Sequence, residues 1–168
     1  RQGLLDRAIG QYDQYINSGA RNAAGVVEAT YSVAKLHERL KRIKVTQEWF
    51  EKTVGVQRRL SARGTPVGTP YAAEAKFKLV SKTYDELLSI RIPANPAAQG
   101  AAVQKKLSIL NRLKDQLKTV VAYDDGGQIV AALTRQGQAL QHMYAAISEA
   151  PIPKGLKPEE LKQYKEGV

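Results

Sequence analysis

Two histidines are the imidazole bases that this chain offers to acid–base or nucleophilic chemistry. A hydrolase or transferase site brings a nucleophile, a base and oxyanion donors together. His37 and His142 are instead far apart in the sequence, and both lie within helical apolar patterns. Glu159 and Glu160 are adjacent, so on a helix their carboxylates would point about 100° apart and would not form a catalytic pair. We therefore predict packing or surface roles for both histidines and no catalytic residues.

The sequence also lacks the usual metal and nucleotide motifs. It contains no cysteine and no His-Glu-x-x-His. Gly126-Gly127 follows a helical pattern, and it has neither the Gly-Lys-Ser/Thr ending of a P-loop nor the strand of a dinucleotide fold. Asp124 or Asp125 is predicted to cap a helix, because calcium needs a longer series of oxygen ligands. We expect no cofactor, no bound metal and no small-molecule substrate.

The charge balance points to the class of partner. The 26 Lys and Arg residues outnumber the 16 Asp and Glu residues, which gives a formal net charge of +10. This balance favours acidic proteins, anionic polymers or nucleic acid. The basic clusters, which indicate either a solvated helical face or an anion-binding patch, are Arg39-Lys41-Arg42-Lys44, Arg58-Arg59-Arg63, and Lys105-Lys106 with Arg112 and Lys114.

Length and hydropathy limit the domain organisation without fixing it. The 168 residues could form one domain or one segment of a longer array. The chain begins without methionine, so we expect it to be a fragment. No run approaches the roughly 18 apolar residues of a membrane span. The absence of cysteine excludes disulfides without fixing the compartment.

A helical hairpin over Glu28–Val54 is the clearest structural pattern. Ala29, Val33, Leu36 and Leu40 recur at helical spacing, and a second amphipathic pattern follows the short basic break at Lys41-Arg42. So short a connection predicts antiparallel helices.

Further helices are predicted on both sides of the hairpin. They cover Leu4–Ile16, Pro70–Ile90, Ala97–Ala122, a segment from about Gly127 to Ile147, and a short helix that begins at Pro158. The long helix has an apolar stripe at Val103, Leu107, Leu110, Leu113, Leu117 and Val120. Gly137 lies inside the next helix, where a close helix contact would explain its cost of about 1 kcal/mol relative to alanine.

The hairpin resembles a degenerate tetratricopeptide repeat. It has a small residue at Ala34, a compact one at Thr46 and an aromatic one at Phe50. A partial copy stands 38 residues earlier, with Ala8-Ile9, Tyr12 and Tyr15-Ile16 in the phase of Thr46-Gln47, Phe50 and Thr53-Val54.

The C-terminal part carries a second resemblance. Its residues Ala132-Leu133, Gly137, Ala150-Pro151-Ile152-Pro153, Gly155-Leu156, Glu159-Glu160 and Tyr164 are similar to a segment that ends repeat arrays in envelope-associated tetratricopeptide-repeat proteins of gliding and predatory bacteria. This resemblance implies a non-enzymatic scaffold of the cell envelope, in a periplasmic setting. A cytoplasmic location stays open.

Together these patterns predict an all-α fold, a right-handed stack of antiparallel helix pairs. Residues 1–96 would form the repeat-like hairpins, and residues 97–168 a more irregular long-helix part of the same array. The predicted function is to bind a segment of another, acidic protein. Candidate contacts on the first helices of successive pairs are Tyr31, Lys35, Glu38, Arg39, Phe77, Ser81, Tyr84 and Asp85. The alternative is a basic helical module that binds nucleic acid.

Overall fold

Six α-helices make up the described part of the chain, which contains no strand. The computed structural model describes residues 2–62, 64, 66–152, 157–159 and 162. The helices are α1 (Gln2–Asn17), α2 (Ala23–Arg39), α3 (Ile43–Ser61), α4 (Thr69–Ser89), α5 (Pro96–Val121) and α6 (Gly126–Ser148). The all-α prediction is confirmed. None of these described helices combines the length and apolar character needed to cross a bilayer.

Local capping residues set several helix ends. Asn22 accepts the Gly25 N–H at 3.0 Å, Asn95 accepts the Ala98 N–H at 3.2 Å, and Asp125 accepts the Gln128 N–H at 2.9 Å. Each bond satisfies an N–H group that has no partner inside its own helix. The predicted capping role near Gly127 therefore belongs to Asp125.

The chain divides into two compact units. The first contains Arg1–Val80 with Lys118–Ala132, and the second contains Ser81–Leu117 with Leu133–Val168. The division predicted between residues 96 and 97 concerns the limits of a repeat array and stays a prediction.

In the first unit α2 packs against α1, α3 and α4. The link between α2 and α3 is three residues long, so these helices run antiparallel. Their core contains Ala34, Phe50 and Ala75, surrounded by Tyr31, Trp49, Val54 and Leu79. The small Ala34 leaves room for the Phe50 ring in this core.

Gly68 fixes the start of α4 against α2. Its φ of +60° is one that side chains rarely adopt, and a Cβ added there would lie 2.6 Å from the Cβ of Val27. Val27 is fully buried. A side chain at position 68 would therefore strain the backbone and push the two helices apart.

In the second unit α5 packs between the end of α4 and α6. Gln99 Nε2 donates to the Pro151 carbonyl at 2.9 Å, and Lys106 Nζ lies 3.0 Å from His142 Nε2. The higher-numbered residue of α5 contacts the lower-numbered partner, so α5 and α6 run antiparallel. Buried apolar residues of this unit include Leu87, Ile109, Leu110, Leu113, Ala139 and Met143.

Two details of the predicted apolar stripes are wrong. Leu107 is 37% exposed, whereas its neighbour Lys106 is fully buried, so α5 faces its neighbours along a line shifted by one residue at this turn. Gly137 is exposed, and no atom of the described residues lies within 4 Å of an added Cβ, so none of the six described helices approaches it closely.

Part of the C-terminal pattern lies outside the described residues. This applies to Pro153, Gly155, Leu156, Glu160 and Tyr164, and also to Arg63 of the basic cluster. Pro158 and Glu159, where the short helix was predicted to begin, are helical.

Candidate functional site

A row of ring and charged side chains joins α2 to α4 within the first unit. We call this set the α2–α4 row; it contains Tyr31, Lys35 and Glu38 on α2, and Tyr71, Glu74 and Lys78 on α4. The paired positions lie 39 or 40 residues apart throughout. Residues further along α2 contact residues further along α4, so the two helices lie side by side and run parallel.

Three ion pairs run along the row. Lys35 Nζ lies 3.0 Å from Glu38 Oε2 and 3.4 Å from Glu74 Oε1, and Lys78 Nζ lies 2.9 Å from Glu38 Oε1. These side chains are 33 to 37% exposed. Single ion pairs at such exposure contribute little, but a network of alternating charges fixes the mutual position of two helices.

The protonation states of the row follow from these contacts. Burial alone would lower the pKa of Lys35, but its contacts with Glu38 and Glu74 raise it. Burial would raise the pKa of Glu38, but hydrogen bonds and charges from Lys78 and Lys35 lower it. Both shifts favour the charged forms of Lys35 and Glu38, which therefore stay ionised across the neutral range.

Tyr31 closes the buried end of the row. Its ring centroid lies 6.1 Å from that of Phe50 and 5.5 Å from that of Tyr71, both tilted by 42°. Burial, followed by a hydrogen bond to Glu74, raises the pKa of Tyr31 well above its usual value. The phenol therefore serves as a neutral donor to the Glu74 carboxylate and ties the ring cluster to the charge network.

The structure brings some of the predicted contact residues together. Tyr31, Lys35 and Glu38 belong to the row, and Arg39 is exposed one residue further along α2. The other four lie on α4: Phe77, Ser81 and Tyr84 are partly buried, and Asp85 is exposed. The guanidinium of Arg135 lies 4.4 Å over the Tyr84 ring. The binding role of all eight stays a prediction.

The α4 half of the row is not among the contact residues predicted from the sequence. Tyr71, Glu74 and Lys78 follow one another at helical spacing, about 40 residues after their α2 partners. Complementary charges at a constant offset on two predicted helices are the signal that could have identified them.

A second polar cluster is built around Lys106, which is fully buried in the second unit. Its Nζ donates to the carbonyls of Leu87 and Ile90, both at 2.9 Å, and lies 3.0 Å from His142 Nε2. A protonated amine uses its three N–H groups on these acceptors, so the His142 ring is then neutral. The prediction that Lys105-Lys106 forms a solvated face or an anion patch is therefore wrong for Lys106.

Lys106 acts as a cap for the end of α4. Leu87 and Ile90 lie at that C-terminus, where carbonyl groups lack helical partners and the helix dipole favours a cation. Burial lowers the pKa of Lys106, and burial together with the charge of Lys106 lowers the pKa of His142.

The two histidines belong to different units. His37 is buried and its ring stacks on Trp49, with centroids 6.4 Å apart. His142 belongs to the Lys106 cluster in the other unit. Within the described residues no group of three or more His, Asp and Glu side chains could hold a metal ion.

A groove of about 630 Å³ lies between α1 and α2. The described residues that line it are Ala8, Gln11, Tyr12, Tyr15, Asn22, Gly25, Glu28 and Ala29. The one charged residue in this described lining is Glu28, so the described lining offers no cation to an acidic partner.

Comparison with known proteins gives no relative. No protein family, no curated protein and no solved structure matches the chain. The resemblance to tetratricopeptide-repeat proteins therefore rests on the sequence motifs alone.

Proposed function

We propose that this chain is a non-enzymatic scaffold built as a stack of helix pairs. The surface formed by the α2–α4 row and Arg39, called the α2–α4 surface below, binds a segment of an acidic protein. The observation that carries the proposal is the parallel arrangement of α2 and α4, with equivalent contacts every 39 or 40 residues. In stacks of helix pairs, the first helices of successive pairs lie side by side and line one continuous surface.

The spacing suggests which kind of repeat is present. A tetratricopeptide repeat has about 34 residues, and other helix-pair repeats have roughly 40 to 47. The offset of 39 or 40 residues between α2 and α4 is closer to the longer class. We therefore propose a right-handed stack with lengthened, tetratricopeptide-like pairs, in which residues 97–168 continue the array.

The charges of the row indicate where an acidic partner would bind. Lys35 and Lys78 are already paired with Glu38 and Glu74, so the row itself is balanced. Arg39 lies beyond it and is exposed. A partner carboxylate would therefore bind at Arg39, while the partly exposed rings of Tyr31 and Tyr71 supply contact area.

The remaining parts of the proposal rest on the sequence. Phe77, Ser81, Tyr84 and Asp85 would extend the binding surface along α4. The proposed setting is a cell-envelope assembly, because the C-terminal motif resembles envelope-associated proteins of gliding and predatory bacteria.

The test uses Arg39→Glu, since Lys35→Glu would place a third carboxylate beside Glu38 and Glu74 and disturb the fold. Acidic peptides that contain aromatic residues are selected from a displayed library against the wild-type chain, and their Kd is measured by calorimetry. We expect Arg39→Glu to raise the Kd about tenfold, as for loss of a charged interface contact.

Arg59→Glu is the matched control, because Arg59 is an exposed arginine on α3. It makes the same change in net charge and should leave the Kd within about twofold. Equal weakening by both variants would mean that only net charge matters, and an unchanged Kd for Arg39→Glu would remove the α2–α4 surface from the proposal.

A further inference from the structure

One face of α6 is apolar, and none of the described residues of the second unit covers it. Leu133, Leu140 and Tyr144 are 58%, 46% and 72% exposed, and with Gly137 they recur at helical spacing. We call these four residues the α6 face. Gly137 lies in its middle, where no atom of the described residues comes within 4 Å of an added Cβ. Large apolar side chains that adjoin on an exposed helix mark a docking surface more often than single exposed ones.

The α6 face and its flanks carry no charge. The exposed residues from Leu133 to the end of α6, all within the described part of the chain, are Leu133, Thr134, Gly137, Gln138, Leu140, Gln141, Tyr144 and Ser148. A quarter of the whole chain is charged, and its net charge is +10. A neutral face of this length sets α6 apart from the basic surface elsewhere.

The charge distribution selects the occupant. An acidic partner would gain nothing from a face without cations. In a twofold interface each side chain meets its own copy or an equivalent one, so a charged face would bring like charges together. Glutamine, threonine, serine and tyrosine groups both donate and accept hydrogen bonds, so they can pair with their own copies. A second copy of this chain is the partner that fits.

We propose that two copies of the chain associate through the α6 face, with the two α6 helices crossing at Gly137. The missing side chain lets the helix axes come close at the crossing point. Leu133 and Leu140 lie on either side of Gly137, so an antiparallel crossing places Leu140 of one copy against Leu133 of the other. This association is separate from the α2–α4 row and does not depend on it.

Sedimentation equilibrium of the wild-type chain across the micromolar range should show a reversible dimer. Raising the salt concentration should keep or strengthen it, since salt screens the repulsion between two chains of +10. The double variant Leu133→Lys/Tyr144→Lys should raise the dimer Kd at least about tenfold.

The matched control is Leu4→Lys/Ile43→Lys, which replaces two apolar residues that are 68% and 82% exposed and adds the same charge. At high salt, its dimer Kd should equal that of the wild-type chain. A wild-type chain that stays monomeric, or equal weakening by both double variants, overturns the proposal and leaves the α6 face to a helix of another protein.

Cross-linking tests the crossing point itself. The chain has no cysteine, so Gly137→Cys introduces a single thiol where the two helices should be closest, within the 4.4 to 6.8 Å Cα separation that a disulfide spans. Mild oxidation should give mostly covalent dimer. Gly10→Cys, an equally open and exposed helical position, should give little. Equal yields from the two variants would contradict a crossing at Gly137.

Discussion

At the residue scale, Lys106 shows how a buried cation can be accommodated without a carboxylate. Its amine meets two carbonyl groups at the end of α4 and one imidazole nitrogen. Hydrogen bonds to a charged donor offset part of the cost of removing it from water. The remaining cost appears as the lowered pKa of Lys106.

This lowered pKa gives a pH dependence of stability with a definite sign. Between the folded pKa of Lys106 and its unfolded value near 10.5, the unfolded chain binds more protons than the folded one. The free energy of unfolding contributed by Lys106 therefore rises as pH increases through that window. In Lys106→Met this rise should be absent, as measured by urea denaturation at neutral pH and at pH values approaching 10.5.

Lys105→Met provides the comparison, because Lys105 is the exposed neighbour on the same helix. It should keep the wild-type pH dependence and lie within about 0.5 kcal/mol of wild-type stability. If Lys106→Met retained the full rise with pH, another group would be its source.

At the scale of elements, helix limits could be predicted because their signals are local. Asp125 accepts an N–H group within one turn, and four long helices, α1, α4, α5 and α6, begin and end within about two residues of the predicted positions. The orientation of α5 could not be predicted in the same way, because burial of Lys106 depends on carbonyl groups that another helix supplies.

The candidate row was half predictable for the same reason. Tyr31, Lys35 and Glu38 could be placed on one face of α2 from helical spacing alone. Their partners Glu74 and Lys78 required the parallel packing of α2 on α4, a contact between residues 39 or 40 positions apart. Likewise, the sequence showed that Gly137 interrupts an apolar stripe but not that this stripe faces solvent.

The turn between α2 and α3 leads to a prediction about stability. Lys41 has a φ of 56°, and the N–H groups of Lys41 and Arg42 donate to the Glu38 and His37 carbonyls at 3.0 and 3.1 Å. This is the helix-ending arrangement that favours glycine. Lys41→Gly should raise the free energy of unfolding by about 1 kcal/mol, because it relieves a left-handed backbone. Urea denaturation measures the change.

Lys82→Gly serves as the opposite case, because Lys82 is an exposed residue in the interior of α4 and does not have a positive φ. It should lower the free energy of unfolding by about 0.5 to 1 kcal/mol. A loss at both positions would show that the Lys41 side chain contributes more than its backbone costs.

At the scale of the whole molecule, the net charge of +10 is only partly available to an anionic partner. Arg42 is held by Asp6 at 2.8 Å, Arg112 pairs with Glu86, and Lys106 is buried. Two of the three basic clusters in the sequence are therefore weakened as continuous patches. Because binding to nucleic acid depends on many cations that contact successive phosphates, this distribution weakens the case for the nucleic-acid-binding alternative.

Nucleic-acid binding provides the measurement that separates these two functions. A protein that contacts six to ten phosphates loses about 10³ to 10⁵ in affinity between 50 and 200 mM salt. With its cations dispersed, this chain should contact fewer phosphates. Fluorescence anisotropy with a short DNA duplex should therefore show weak binding at low salt and no binding at physiological salt. The slope of log binding constant against log salt concentration should be shallower than about −4.

Lys44→Glu/Arg59→Glu, which lowers the net charge by four, should weaken the low-salt binding further without abolishing the fold. Tight binding at physiological salt with a slope of about −6 or steeper would favour the nucleic-acid module instead, because only a concentrated patch releases that many counterions.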